Sequence, residues 1–371
     1  MKLNYKLLIP TLILCLLSLL FIYSASSFSA QKEMGDAFFF VKKQGMALVF
    51  GLILCFACQF FDFSKLKKWK YVLLVLAYVL LALVFIPGIG TEAFGAKRWI
   101  SIFGLSLQPS EISKFLYIFF LAGYFSEVKN YKFLQIVPAV MFGLGLAVLI
   151  MLEPNMSITM CVVLSLFAML FISGVKIKYI AAFLLPVVVA VPALILLEPY
   201  RFKRLLAFID PFASPKGEGY QLLQSLYGIS AGGIFGVGIG NSRQKYAFLP
   251  FAESDFIFSI IIEGTGILGA ICIIILFSII IYQGIKIAMR AQNRFDMLLA
   301  GGITCIIAIQ TMLNMAVVTG SIPPTGLPMP FVSYGGSSLA VFLAGIGILL
   351  NIDRKTNSSS AKWRTNKWFA N

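Results

Sequence analysis

The residues best suited to chemistry lie in Leu249-Pro250-Phe251-Ala252-Glu253-Ser254-Asp255-Phe256-Ile257-Phe258, and Asp255 leads them. It stands where a basic, glycine-rich segment gives way to an apolar run long enough to cross a membrane. An ionised carboxylate at that boundary is costly to keep without a function. Asp255, Ser259 and Glu263 follow at i, i+4 and i+8, one stripe of a helix otherwise built from Phe and Ile. At 1.5 Å per residue, Glu263 lies about 12 Å deeper than Asp255. Asp255 could serve as a helix N-cap, a role that Ser254 would also fill. The chain has no histidine, so any general acid or base must be Asp, Glu, Lys, Tyr or Cys.

Three further clusters could surround such a base. Ala96-Lys97-Arg98-Trp99-Ile100 precedes Gln108-Pro109-Ser110-Glu111-Ile112-Ser113-Lys114, where Pro109-Ser110-Glu111 reads as a helix start. Glu111 and Lys114 sit one turn apart and can pair, either as a self-satisfied ion pair at the membrane edge or as a wall of a site. Arg201, Lys203, Arg204, Lys216, Arg243 and Lys245 form a cationic set in one long segment. They suit an anionic partner such as a lipid-linked pyrophosphate, or anionic head groups. The glycines at 228, 232, 233, 236, 238 and 240 permit close backbone approach there, without forming a nucleotide loop. Last, Pro323-Pro324-Thr325-Gly326-Leu327-Pro328-Met329-Pro330 must break helix, and it predicts a re-entrant or broken segment lining a cavity.

The elements that position these residues are membrane helices. Of 371 residues, 60% are hydrophobic and only 12% charged, against roughly a quarter charged in soluble domains. Apolar runs recur near 7–24, 44–61, 70–87, 110–126, 134–152, 156–174, 178–197, 254–282, 297–319 and 333–352. They predict an all-α polytopic membrane protein of about ten transmembrane helices. The apolar start is read as an uncleaved first helix, because spans follow it everywhere. Residues 1–352 form one transmembrane domain, and 353–371 a basic, disordered tail. With both termini cytoplasmic, most of the 30 Lys and Arg residues fall inside, as the positive-inside rule requires. Most of the 15 acidic residues then face the exterior or the membrane, beside one long external loop between helices 7 and 8. The net charge of +15 follows from topology and anionic lipid, so nucleic acid is not an expected partner. Cys55 and Cys58 form a lone C-x-x-C with no second ligand pair, so no metal site is expected.

Read in order, Lys97-Arg98-Trp99, Gln108-Pro109-Ser110-Glu111, Gly219-Tyr220-Gln221 with Gln224-Ser225, Leu249-Pro250, Asp255-Phe256-Ile257-Phe258 and Pro330-Phe331-Val332-Ser333-Tyr334-Gly335-Gly336 resemble one family. It is the SEDS family of bacterial cell-wall glycosyltransferases (RodA, FtsW and SpoVE), and the resemblance runs over essentially the whole chain. Gly240-Asn241-Ser242-Arg243-Gln244-Lys245 and Thr325-Gly326-Leu327-Pro328 look more like the FtsW/SpoVE branch. The resemblance implies a multi-pass protein of the bacterial cytoplasmic membrane that polymerises lipid II on the outer face, beside a class B penicillin-binding protein. It places the catalytic base on Asp255. Lys97, Arg98, Arg243 and Lys245 would hold the departing undecaprenyl pyrophosphate; Trp99, Glu111, Ser333 and Tyr334 would complete the substrate site. Glu263, Glu153 and Lys114 would support it. No cofactor is called for, and a divalent cation stays open.

Three positions depart from the family pattern. Phe251 follows Pro250 where an acidic residue is usual, Glu263 is followed by Gly264 rather than a second Glu, and Asn155 stands where an Asp commonly follows Glu-Pro. Two readings from other classes remain: a lipid II transporter, and a scaffold that only positions a penicillin-binding protein.

Overall fold

The computed structural model describes residues 4–368 apart from 94–95, 103–104, 129–130, 197–198, 216, 218 and 247. At 92, 93, 96, 97, 102, 105, 191, 194, 195, 199–201 and 358–368 it describes the backbone alone. Each predicted apolar run falls on a helix: α1 (Tyr5–Met34), α2 (Phe39–Cys58), α3 (Lys70–Leu83), α4 (Pro109–Glu127), α5 (Phe133–Leu152), α6 (Met156–Ile172), α7 (Ile177–Leu196), α10 (Ile257–Arg290), α11 (Arg294–Val318) and α12 (Gly336–Trp368). Among the described residues six of these, α1, α2, α5, α10, α11 and the 336–357 part of α12, are long and apolar enough to cross a membrane. In a bilayer only helices satisfy every backbone group within one segment, which is why apolar runs this long adopt them.

Within this mostly helical fold, the first of the two long connections also holds a small sheet. Gly90–Ala93, Ala96–Ile102 and Leu105–Leu107 form a three-stranded antiparallel sheet, β1-β2-β3, with Thr91 opposite Trp99 and Ser101 opposite Ser106. Short strands of Thr, Trp and Ile carry too little periodicity to compete with twenty-residue apolar runs. The second connection holds helices α8 (Pro199–Ile209) and α9 (Tyr220–Gly232). Residues 353–357, assigned from sequence to the tail, continue α12. Lys355 pairs with Asp62 at 2.7 Å, and Asn4 donates to Asp353.

Two backbone devices shape the bundle. Helices α2 and α12 run parallel: Gln44 lies beside Ser333 and Gly335 at one end. At the other end Asn351 donates to the carbonyls of Cys58, Gln59 and Phe61, which α2 leaves without intrahelical partners. Helix α10 is broken at Gly266 (φ 70°, ψ −169°), a conformation only glycine adopts freely. The break leaves backbone groups unbonded, and the glycine-rich segment after α9 supplies partners. Val237 and Gly238 donate to the carbonyls of Glu263 and Gly264 (2.9 and 3.1 Å), while Ile267 and Leu268 donate to those of Gly233 and Ile234 (3.0 and 3.3 Å). The run of glycines therefore serves backbone-to-backbone packing against the helix break.

Candidate active site

Asp255 sits two residues before α10 begins, in a turn spanning 251–256, and it is partly buried. The turn begins at Phe251, whose φ of 57° is unusual for a bulky residue. Strained backbone of this kind persists where the surroundings hold it, and it clusters at functional sites.

What faces Asp255 is the proline-rich segment 323–335, which has no regular secondary structure. Buried non-helical backbone needs hydrogen-bond partners from outside itself. Its carbonyls find them on five side chains from four helices. Arg204 of α8 donates to Pro324 (3.2 Å), Ser157 of α6 to Thr325, Asn314 of α11 to Leu327 (2.7 Å), Gln310 of α11 to Pro328 (2.9 Å) and Gln44 of α2 to Ser333 (3.1 Å). The result is a rigid wall. Gly326 (φ 74°) lies against the catalytic candidate: a Cβ there would come 3.1 Å from Asp255 Oδ2. Opposite, the amide N–H of Tyr334 donates to the Glu253 carbonyl at 2.8 Å, and Asn314 donates to the Asp255 carbonyl at 2.8 Å.

Two arginines bring positive charge. Arg98, on β2, donates to the carbonyls of Glu153 (3.0 Å) and Pro154 just past α5, which fixes the sheet to the bundle. Arg204 approaches from α8. Burial pushes the Asp255 carboxyl up to about 6, with neighbouring Glu253 adding to the shift and Arg204 and Arg98 opposing it. Burial likewise raises Glu253. Glu153, 1% exposed, is pushed up to about 8 by burial, against the charge of Arg98, and its carboxyl oxygens accept no hydrogen bond among the described residues.

The expected site residues divide. The charge of Arg98 acts on both Asp255 and Glu153, the Tyr334 amide holds the Glu253 carbonyl in the Asp255 turn, and Trp99 is partly buried beside Arg98 on the same strand. Ser333 is buried, its hydroxyl accepting from the Met329 amide at 2.7 Å, so it braces the wall rather than facing open space. Glu111 and Lys114 are sealed inside the bundle at 0% and 1% exposure and 2.9 Å apart. Ser338 donates to Glu111, and Lys114 donates to Gln310. The predicted wall of the site is therefore a buried brace behind it, reaching the 323–335 segment through Gln310. Glu263 is structural: its carboxylate accepts from the Ser242 hydroxyl and from the Arg243 amide (2.9 Å), pinning the glycine-rich segment. Arg243 and Lys245 belong to that region, Lys245 donating to the Gly240 carbonyl. The Lys97 and Arg201 side chains and Lys216 lie outside the described residues.

Sequence reasoning named Arg204 and Gly326 only within larger sets, and passed over Gln310 and Asn314 altogether. Gln310 and Asn314 did carry a signal: polar side chains one turn apart in an otherwise apolar span.

With the geometry assembled, the chain can be set beside known proteins. The family profile described as cell cycle protein, covering FtsW, RodA and SpoVE, matches residues 5–358. This chain belongs to that family. Stage V sporulation protein E of Bacillus subtilis is 39% identical over 351 residues, 94% of this chain and 96% of that protein. The probable peptidoglycan glycosyltransferase FtsW of Geobacter sp. strain M18 is 36% identical, across 95% of this chain and 97% of that one. Both relatives stand on the branch that the 240–245 and 325–328 motifs resemble. Among solved structures, a chain of a peptidoglycan synthase complex coordinating polymerization and crosslinking superposes with a TM-score of 0.82 at 26% identity, over 96% of this chain and 99% of that chain. The rod shape determining protein RodA of Thermus thermophilus shares the fold, with a TM-score of 0.72 at 24% identity over 96% and 98% of the two chains. The FtsW/RodA/SpoVE fold thus accounts for the helical bundle, and the protein is a multi-pass membrane protein.

The arginines give a first prediction. The charge of Arg204 favours the ionised form of Asp255; with Asp255 as the base of a reaction, Arg204→Gln would move the acid limb of kcat/KM above pH 6. At pH values below the limb the variant should be about three- to tenfold slower than wild type. A pH–rate profile checks this; an unmoved limb would remove Arg204 from the site.

Proposed function

We propose that this FtsW/RodA/SpoVE family member is a peptidoglycan glycosyltransferase. It polymerises lipid II into glycan strands on the outer face of the cytoplasmic membrane, with Asp255 as general base. The observation that supports the reading is the placement of Asp255: its carboxyl lies against the Gly326 wall and its backbone is held by Asn314, with the charges of Glu253, Arg98 and Arg204 acting on it and burial raising it to about 6. A base works best when its pKa lies near the operating pH, because it is then ionised yet basic enough to take a proton.

In the proposed reaction a hydroxyl of the acceptor sugar loses its proton to Asp255 as its oxygen attacks the anomeric carbon of the donor. The new glycosidic bond forms as the bond from that carbon to the pyrophosphate oxygen breaks, with inversion. Undecaprenyl pyrophosphate departs with the bonding pair. Fixed cations stabilise charge developing on the leaving group without reorganising, and Arg98 and Arg204 are the ones positioned beside Asp255. Arg243 and Lys245, on the neighbouring glycine-rich segment, would extend that field to the distal phosphate. The 26% identical chain from a peptidoglycan synthase complex supports a class B penicillin-binding protein as partner.

The test is reconstitution. The full chain with its penicillin-binding partner, in liposomes supplied with labelled lipid II, is expected to yield glycan polymer. Labelled lipid crossing the bilayer while no polymer forms would replace this reading with transport.

A further inference from the structure

Helix α11 carries two side chains with no place on a lipid-facing helix. Gln310 and Asn314 are 0% and 1% exposed and one turn apart, and both amides point into the 323–335 segment. Burying an amide without partners costs several kcal/mol; both side chains spend their amide nitrogens on this segment, while Asn314 Oδ1 accepts no hydrogen bond among the described residues. The two amides do different things. Gln310 joins the Pro328 carbonyl to the Lys114 ammonium, within the buried brace. Asn314 donates through one nitrogen to two carbonyls from distant parts of the chain, Asp255 at 2.8 Å and Leu327 at 2.7 Å. Leu327 adjoins Gly326, the residue packed against Asp255 Oδ2. One carboxamide therefore ties the backbone that carries the base to the backbone of the wall the base faces.

We propose that Asn314 is a positioning residue for glycosyl transfer: its amide clamps the Asp255 backbone to the Leu327 backbone and thereby sets where the Asp255 carboxylate meets the acceptor hydroxyl. The proposal rests on the assignment of Asp255 as base. A general base must come within about 2.6–3.2 Å of the proton it takes. A misplacement of about 1 Å costs on the order of 100-fold in rate. Among the described residues the turn at 251–256 is otherwise held at Ser254, which also bonds the Asp255 side chain, and at Glu253. Ser254 bonds locally, to the Phe251 carbonyl, and the Tyr334 amide reaches the Glu253 carbonyl on the other side of the turn. The wall, by contrast, keeps its ties to Arg204, Ser157, Gln310 and Gln44 when Asn314 is lost. Removing Asn314 should thus loosen the base and leave the fold.

The test uses the full chain with its penicillin-binding partner, lipid II as substrate, and two variants. Asn314→Leu keeps the branched shape in a larger side chain and has no donor; Asn314→Ser is smaller and keeps a donor too short to span both carbonyls. For both, kcat is expected to fall roughly 30- to 100-fold with KM for lipid II within about threefold of wild type and the thermal unfolding midpoint little changed. A residue that only fills space would lower the unfolding midpoint and leave kcat alone. Either variant, folded and within threefold of wild-type kcat, would overturn the clamp, as would Asn314→Leu failing to fold while Asn314→Ser is fully active. Asp255→Asn in the same assay separates the two assignments. If it polymerises at the wild-type rate, the base itself is misassigned. If it is inactive while the Asn314 variants are normal, only the clamp fails.

Discussion

Asp255→Asn is expected to lower kcat by about 10²- to 10⁴-fold with little change in KM for lipid II. General base catalysis contributes about that much, and an amide cannot take the proton. Asn keeps the shape, the turn and the bond from Asn314 to the residue 255 carbonyl, so folding and binding should survive. Asp255→Glu should lose less than Asn at high pH but stay well below wild type, because its extra methylene pushes the carboxylate toward the Gly326 backbone that Asp255 Oδ2 already packs against. The pH dependence has a defined sign. The base acts when ionised, and ionisation is complete only above its pKa of about 6. The kcat/KM of wild type should therefore fall about tenfold per pH unit below 6 and level off above, since kcat/KM reports the free enzyme.

Lys114→Met is expected to destabilise the protein by about 3–5 kcal/mol, a large part of a typical folding free energy. The loss comes less from the ion pair than from what remains: the Glu111 carboxylate, 0% exposed, keeping only the Ser338 hydroxyl, and Gln310 losing its donor. Lys114 also lies 4.8 Å above the Phe342 ring, a further contact that Met keeps only as packing. Neutralising both partners, with Glu111→Gln added to Lys114→Met, should recover part of the loss, because the buried charge is gone and Ser338 keeps an acceptor. Thermal unfolding of the two variants in detergent measures this. Lys114→Met as stable as wild type, or the double variant worse than the single, would contradict the account of the pair. A stable double variant would also show how far the brace behind the site can be made neutral before catalysis suffers.

Much of this was legible in the sequence because membrane helices obey a severe rule: long apolar runs have one way to satisfy their backbone. All ten runs fall on helices, and the four prolines between 323 and 330 do break helix there. Asp255 was legible as a charge at a boundary. The partners were not. Arg204 and Asp255 are brought together by tertiary packing that no local pattern encodes, and Arg98 reaches the site through a sheet too short to register. Glu263 shows the reverse. Its i+8 spacing suggested a site stripe, yet the break at Gly266 and the Ser242 and Arg243 donors give it a structural role. Asn314 was readable in principle, as an amide one turn from Gln310 in an apolar helix. Its two acceptors, the carbonyls of Asp255 and Leu327, only the fold reveals.

The most direct measurement is the pH profile of lipid II polymerisation by wild type and Asp255→Asn side by side, each with the penicillin-binding partner. The account predicts a wild-type acid limb near pH 6 and, for the variant, polymer reduced by at least about 100-fold on the plateau above the limb, no limb of its own, and a gap that narrows below pH 6, with lipid II still bound. An Asp255→Asn protein that polymerises at the wild-type rate, with the same limb, would contradict it.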